Sequence, residues 1–277
     1  MMKDIEERIT SPTNAKIKLA ASLKQRKQRE KAGLFVAEGM RLAEMAVTAQ
    51  WRISFAFVTE RAREQPRVQA ILAHLRRRQT PIAIVSAPVY AKASGTEHPQ
   101  GILLVLEKKS FPLQEFAASG VTNPCYAVLD GVQDPGNLGT ILRTADAAGL
   151  DGVILLKGCV DAFSPKVVRA SMGSLFHLPV AVDVPIQSLL SFLEERKIRL
   201  YATALDQAAK THFAADYKGA VAIAFGNEGN GVSAPILAAS DKIYVPMFGQ
   251  AESLNVAISS AVVFYEVLRQ RHLGSIT

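Results

Sequence analysis

Residues 225–266 read FGNEGNGVSAPILAASDKIYVPMFGQAESLNVAISSAVVFYE. Two glycine-containing turns lie in this stretch, GNEGNGVS (226–233) and PMFGQAESLN (246–255). Each follows a short apolar run, and each leads into a helical pattern. Short apolar runs that alternate with helices read as buried strands of a parallel sheet covered on both faces. The second turn ends in Ser253, Leu254 and Asn255, at the mouth of a helix over about 253–271 that is apolar nearly all round. Such a helix is expected to be buried on more than one side.

Upstream, the same alternation continues. CYAVLD (125–130) and GVILL (152–156) are strand-like, with the helical NLGTILRTADAAGL between them and Gly149 as its stop. Ser164 and Pro165 open a further helix, SPKVVRASMGSLF. LPVAVDV, RLYATAL, AVAIAFG and KIYVPM read as strands, with helices at about 186–196 and 232–239. The first half is a smaller α/β unit. It has a basic helix over about 14–31, strands at 34–36, RISFAFVT, PIAIVS and GILLVLE, and helices near 38–49 and 64–78. The segment Lys108 to Pro124 reads as the join, so the expected domains are 1–112 and 121–277. The expected class is α/β in both.

Charge divides the same way. Residues 1–120 carry 20 Lys and Arg against 11 Asp and Glu (+9), and residues 121–277 carry 12 against 14 (−2). The densest run, Arg8 to Lys31, holds eight basic residues and Glu30. A single such run is most often a solvated helix face. An excess across a whole half points to a polyanionic partner, with Lys16, Lys24, Arg26, Lys27 and Arg29 as candidate RNA contacts. Apolar residues make up 49% of the 277, enough for sizeable cores, and no run approaches the ~18 apolar residues of a membrane span. The start, MMKDIEERITSPTNAK, lacks the apolar stretch of a secretory signal. Cys125 and Cys159 form no CxxC pair. A cytoplasmic setting is expected, without a membrane partner. The five histidines are scattered, and no metal is expected.

Three loops follow strands: DGVQDPGNLGT (130–140) and the two turns already quoted. In parallel sheets ligands sit beyond the carboxyl ends of the strands, where glycines permit close approach and helix N-termini offer free N–H groups. The nucleotide fingerprints fail. No G-x-G-x-x-G follows a strand, and Asn137 and Leu138 stand where a P-loop needs Lys and Ser or Thr.

DPGNLGTILRTADAAG, FGNEGNGVS and VPMFGQAESLNVAIS, in this order, closely resemble the three motifs of the SpoU/TrmH family, and SPKVVRASMGSLFHLPV resembles its connecting segment. The resemblance covers roughly residues 125–270. The family consists of S-adenosylmethionine-dependent RNA ribose 2′-O-methyltransferases of the SPOUT class. The resemblance implies a C-terminal α/β-knot domain with a mainly parallel sheet and a trefoil knot. It implies a homodimer formed through that domain. More loosely, the first half resembles the family's ribosomal-protein-like α/β RNA-binding domain.

Site residues follow by resemblance. Arg143 is the family's catalytic arginine. A guanidinium stays protonated in proteins, so gripping a phosphate and stabilising the developing alkoxide suit it better than acting as a base. Asn137, which can also cap its helix, belongs near the ribose. Glu228 orients site residues, Arg143 or the motif's backbone, or else caps the following helix. Ser253, otherwise a plain N-cap, and Asn255 face the reacting ribose. Thr203, Ala204, Gly226, Asn227, Gly229, Val245, Met247 and Leu254 line the S-adenosylmethionine pocket. The substrate expected is ribosomal RNA of the 23S type ahead of transfer RNA. The alternatives are a transfer-RNA ribose methyltransferase, a base methyltransferase with the same knot, and a non-catalytic ribosome-assembly factor; a role in antibiotic resistance is compatible with the first reading.

Overall fold

The computed structural model describes residues 5–117 and 120–272. Along the chain run β1 (Glu6–Ile9), α1 (Ala15–Ser22), α2 (Arg26–Ala32), β2 (Leu34–Glu38), α3 (Met40–Thr48), β3 (Ile53–Thr59), α4 (Glu60–Arg63), α5 (Pro66–Arg77), β4 (Ile82–Val85), α6 (Ala87–Ala93) and β5 (Ile102–Glu107). There follow α7 (Leu113–Ala117), β6 (Cys125–Asp130), α8 (Pro135–Ala147), β7 (Gly152–Leu156), α9 (Pro165–Ala170), β8 (Val180–Val184), α10 (Ile186–Glu195) and β9 (Arg199–Thr203). The chain continues with β10 (Lys210–Thr211), β11 (Val221–Gly226), α11 (Ala234–Ala238), β12 (Asp241–Tyr244) and α12 (Val256–His272). Two compact units result. One holds the residues up to Lys109 together with Phe163–Phe176, the other Ser110–Ala162 together with His177 onward.

The first unit is built on a five-stranded sheet of order β1-β4-β3-β5-β2, in which β1, β4 and β3 are parallel and β5 is antiparallel to both its neighbours. Its α5 starts on Pro66 and buries Val68, Ile71, Leu72 and Leu75. The single helix expected over 14–31 is two helices. α1 is capped by the Asn14 side chain, which accepts from the Lys16 N–H at 2.8 Å. It stops before Leu23, which is buried. The Arg29 guanidinium then reaches back from α2 to donate to the Leu23 carbonyl at 2.7 Å and the Lys24 carbonyl at 2.9 Å. It thereby satisfies carbonyls that a helix end leaves open.

Residues 163–176 depart from the division expected at 112 and 121. Phe163 and Phe176 join Phe35 and Trp51 of the first unit in one aromatic cluster, with ring centroids 5.0 Å apart for Phe35 and Phe163 and 5.3 Å for Trp51 and Phe176. The Trp51 Nε1–H donates to the Phe176 carbonyl at 2.9 Å. Four large rings bury more surface together than any could alone, and the indole N–H finds its buried acceptor there.

The second unit carries a seven-stranded sheet of order β10-β12-β9-β11-β6-β7-β8, parallel at every pairing. Strands β6, β7 and β11 are buried along their whole length, as a sheet covered on both faces requires. One face packs Tyr126, Val128 and Ile154 against Phe192 and Leu193 of α10. Toward α12, Phe225 meets Phe264 edge to face at 5.4 Å. α12 is not buried all round: Val256, Ala257, Ser260, Val263, Phe264 and Val267 are covered, whereas Ile258, Val262 and Tyr265 are 52%, 36% and 51% exposed. Among the described residues no helix is long and apolar enough to cross a membrane.

Candidate active site

β12, β9, β11 and β6 are consecutive parallel neighbours, so their carboxyl ends share one edge. The loops after β6, β11 and β12 are the three glycine-containing segments singled out from the sequence. At the end of β11 the backbone closes on itself. A Cβ on Gly226 would lie 2.0 Å from the Gly231 carbonyl carbon and 2.2 Å from the Val232 nitrogen, so only glycine fits. Asn227 holds this turn. Its N–H and carbonyl pair with those of Gly231 at 3.0 and 2.9 Å. Its Oδ1 accepts from Gly229 and Asn230, and its Nδ2 donates to the Gly131 carbonyl at 2.8 Å. Beneath, the buried Asp130 carboxylate accepts from the Ser233 N–H at 2.8 Å.

A second set of bonds runs across the loops. Asn255 Nδ2 donates to Asn137 Oδ1 at 3.0 Å, and Asn137 Nδ2 donates to Glu228 Oε1 at 2.9 Å. Glu228 also accepts from the Asp134 and Gln133 N–H groups at 3.3 and 3.4 Å. One side chain from each loop is thus joined in a line that fixes the orientation of both carboxamides. Burial alone would raise the Glu228 carboxyl. The hydrogen bonds from Asn137 and from the main chain of Glu228 itself, Asp134 and Gln133 outweigh it and hold the group below the usual carboxylate range.

The caps differ from expectation. Asp134, not Asn137, caps α8, accepting from the Asn137 N–H at 2.8 Å. Asp-Pro-Gly ahead of a helix was the available signal, an acidic cap followed by proline at the first helical position. Asn255, not Ser253, heads α12, its Oδ1 accepting from Ala257 and Ile258. Ser253 is exposed at the loop's end, and Glu228 caps no helix. Arg143 lies on the exposed face of α8 and makes no hydrogen bond or ion pair among the described residues, to Glu228 and Asn255 included.

The residues expected around S-adenosylmethionine gather on the same edge. Thr203 ends β9 half-buried, its Oγ1 donating to the Ala224 carbonyl at 3.2 Å, and the Ala204 N–H donates to Ile243. Gly226 ends β11, and Gly229 is in the turn after it. Val245 and Met247 follow β12 half-buried, and Leu254 is 38% exposed before α12. The partly open apolar side chains of Val245, Met247 and Leu254 suit the adenine and thioether portions of such a molecule. Asn227 differs from expectation, because its polar groups hold the loop itself. Burial pushes the Cys125 thiol up to about 12 and the Cys159 thiol up to about 11, which removes both as nucleophiles near neutrality. Among the described residues no group of three or more His, Cys, Asp or Glu is placed to hold a metal ion.

In the first unit Lys24, Arg26 and Lys27 are exposed, with Arg26 bonded to Glu30, and Lys16 is half-buried and paired with Glu7. Arg29 is the correction: it is 3% exposed and its guanidinium is spent on main-chain carbonyls, so it offers no surface for RNA.

A sequence model of the SpoU rRNA methylase family matches residues 124–265. The chain belongs to this family. A model of the MRM3-like substrate binding domain matches residues 14–104. Among family relatives, the 23S rRNA (guanosine(2553)-2'-O)-methyltransferase RlmP of Bacillus subtilis is 36% identical over 96% of this chain and 99% of its own. The AdoMet-bound rRNA methyltransferase of Sinorhizobium meliloti superposes with a TM-score of 0.87 at 31% identity, covering 96% of this chain and 98% of that one. The SpoU methyltransferase AviRb of Streptomyces viridochromogenes, in complex with the cofactor AdoMet, gives 0.84 at 27% identity over 94% and 100%.

Proposed function

We propose that the protein methylates a ribose 2′-hydroxyl in RNA, with 23S-type ribosomal RNA as substrate and S-adenosylmethionine as donor. The observation that carries this reading is the Asn255–Asn137–Glu228 line of hydrogen bonds, which ties together the three family loops at one sheet edge. The donor supplies an electrophilic methyl group. Gly226, Thr203, Ala204, Val245, Met247 and Leu254 would hold it. The chain's remaining task is to position a ribose oxygen and to stabilise charge as it develops there. Asn137 and Asn255 have fixed carboxamides for that purpose, and Ser253 stands open beside Asn255 in the chain. Glu228, ionised and already bonded, orients Asn137 and takes no proton. Arg143 has no partner in the described chain to neutralise it, so its charge is free for a substrate phosphate and an alkoxide oxygen.

Arg143→Ala is expected to lower turnover by about 10²-fold or more, while calorimetry finds S-adenosylmethionine affinity little changed. Turnover near the wild-type rate would refute the role given to Arg143.

The same reading includes a homodimer through the second unit, a trefoil knot and work in the cytoplasm. The exposed stripe Ile258, Val262 and Tyr265 along α12 supports the dimer. The return of the chain from β12 past β9 to pack α12 on α8 supports the knot. Sedimentation of Val262→Glu is expected to show monomers where the wild type shows dimers. A crystal structure traced through 226–256 checks the threading.

A further inference from the structure

The first unit has a cleft that methyl transfer leaves unused. It measures about 550 Å³ and opens at the carboxyl ends of the parallel strands β3 and β4. Thr59, Glu60, Arg61, Gln65, Ser86 and Gln100 line it, with the buried Tyr90, and the Glu60 carboxylate is paired with Arg8 at 2.7 Å. Several of these polar groups are not spent on the fold. Ser86 and Gln65 stand at the heads of α6 and α5, yet neither side chain caps its helix. Gln100 Oε1 accepts from the Met40 N–H at 2.8 Å, which sets the amide's orientation and leaves Nε2 as a donor. Arg61 is exposed and makes no ion pair among the described residues, whereas Arg63 of the same short helix pairs with Glu6 at 3.4 Å. The wall is tightly packed. Gly101 has φ +79°, and a Cβ there would lie 2.4 Å from Thr59 Oγ1 and 2.8 Å from Ala62 Cβ.

An unspent polar side chain on a surface is ordinary. Here separate segments of the chain bring a guanidinium, two carboxamides and a hydroxyl into one concavity. Its volume falls in the range of about 300–1,000 Å³ that holds small molecules, room for one nucleotide and not for a duplex. Proteins read unpaired RNA bases by stacking on planar groups, guanidinium included, and by hydrogen bonds to base edges. We infer that this cleft takes one unpaired nucleotide of the substrate RNA, Arg61 supplying its plane and charge, and Ser86, Gln65 and Gln100 reading the base. The inference rests on the RNA-methylation reading and deepens it.

The test titrates the full-length protein with an unmodified 23S ribosomal RNA transcript at fixed salt. Ser86→Tyr, a neutral change that fills the cleft, and Arg61→Ala are each expected to weaken binding about tenfold, with S-adenosylmethionine affinity retained as the check on folding. Arg61→Lys, which keeps the charge and loses the plane, is expected to recover only part of the affinity. Crosslinks from a 4-thiouridine transcript are expected in 59–65 or 86–101 and to vanish in Ser86→Tyr. Unchanged transcript affinity in both Ser86→Tyr and Arg61→Ala overturns the inference. So does tight binding of free GMP or UMP that Ser86→Tyr abolishes while transcript binding stays, since the cleft then serves a small molecule. If the protein neither binds the donor nor transfers methyl groups, but Ser86→Tyr still weakens RNA binding, the cleft assignment stands and the methyltransferase reading falls.

Discussion

At the carboxyl edge of the seven-stranded sheet Asn137, Asn227, Glu228 and Asn255 are spent on one another and on the main chain, with Arg143 and Ser253 left open, whereas the edge of the five-stranded sheet leaves several of its polar side chains unspent. Around Gly226 the Asn227 side chain is bonded at both its oxygen and its nitrogen, and Asn137 is held from both sides, although the buried Ser233 hydroxyl has no partner among the described residues. Around Arg61, Ser86 and Gln65 the polar groups wait. Positions that must be right to a fraction of an ångström are fixed before substrate arrives, because misplacement by about 1 Å costs about 10²-fold in rate. Groups that recognise a large, variable partner tolerate more freedom, and their bonds form on binding.

The contrast can be broken most sharply at Gly226. Gly226→Ala sets a methyl group against backbone atoms about 2 Å away, so a loss of about 4 kcal/mol or more in urea unfolding is expected. A small loss would mean that the edge is pliable. Asn137→Ala removes the middle of the cross-loop line. It is expected to cost about 10²-fold in turnover, but only about 1–2 kcal/mol in unfolding free energy. Equal damage to both would make Asn137 a structural residue only.

Within the first unit the basic residues divide in the same way. Arg29→Ala should cost about 2 kcal/mol of stability, since it strands buried carbonyls, and leave the salt slope of RNA binding alone. Replacing Lys24, Arg26 and Lys27 by Ala should leave stability alone and flatten that slope by up to about three units. The reverse pattern would remove the distinction between the helix-end bond and the open surface.

The smallest expected effect is in pH. Glu228 has a folded-state pKa below its unfolded value. Its contribution is therefore full above the ordinary carboxylate range and is lost as pH falls through the folded value. The melting-temperature gap between wild type and Glu228→Gln should stay constant near neutrality and close in acid. A gap that widened in acid would contradict the direction of the shift.

Strands buried on both faces were legible, because runs such as AVAIAFG leave few alternatives. The three loops were legible as a site, because glycines and helix starts cluster in them. What escaped depended on partners distant in sequence. Arg29 looks like its basic neighbours until its guanidinium is seen turning back to Leu23 and Lys24. Glu228 was expected on Arg143 or on the motif's backbone; it bonds the Gln133 and Asp134 N–H groups and, unforeseen, the Asn137 carboxamide, which Asn255 holds from the other side. The short strands β1 and β10 carry too little apolar pattern to stand out: three of the four residues of EERI are charged, and KT is two residues long. The pairing of Phe163 and Phe176 with Phe35 and Trp51 has no local signal at all.

That pairing limits how the protein can be taken apart or can diverge. A cut after Lys109 would strip Phe35 and Trp51 of the rings that cover them, and the remaining fragment would carry Phe163 and Phe176 with no aromatic cluster to enter. The recognition unit is therefore not a cassette. A chimera that borrows it from a relative must transplant two stretches of gene together, and drift at Phe35 or Trp51 must be answered more than a hundred residues downstream.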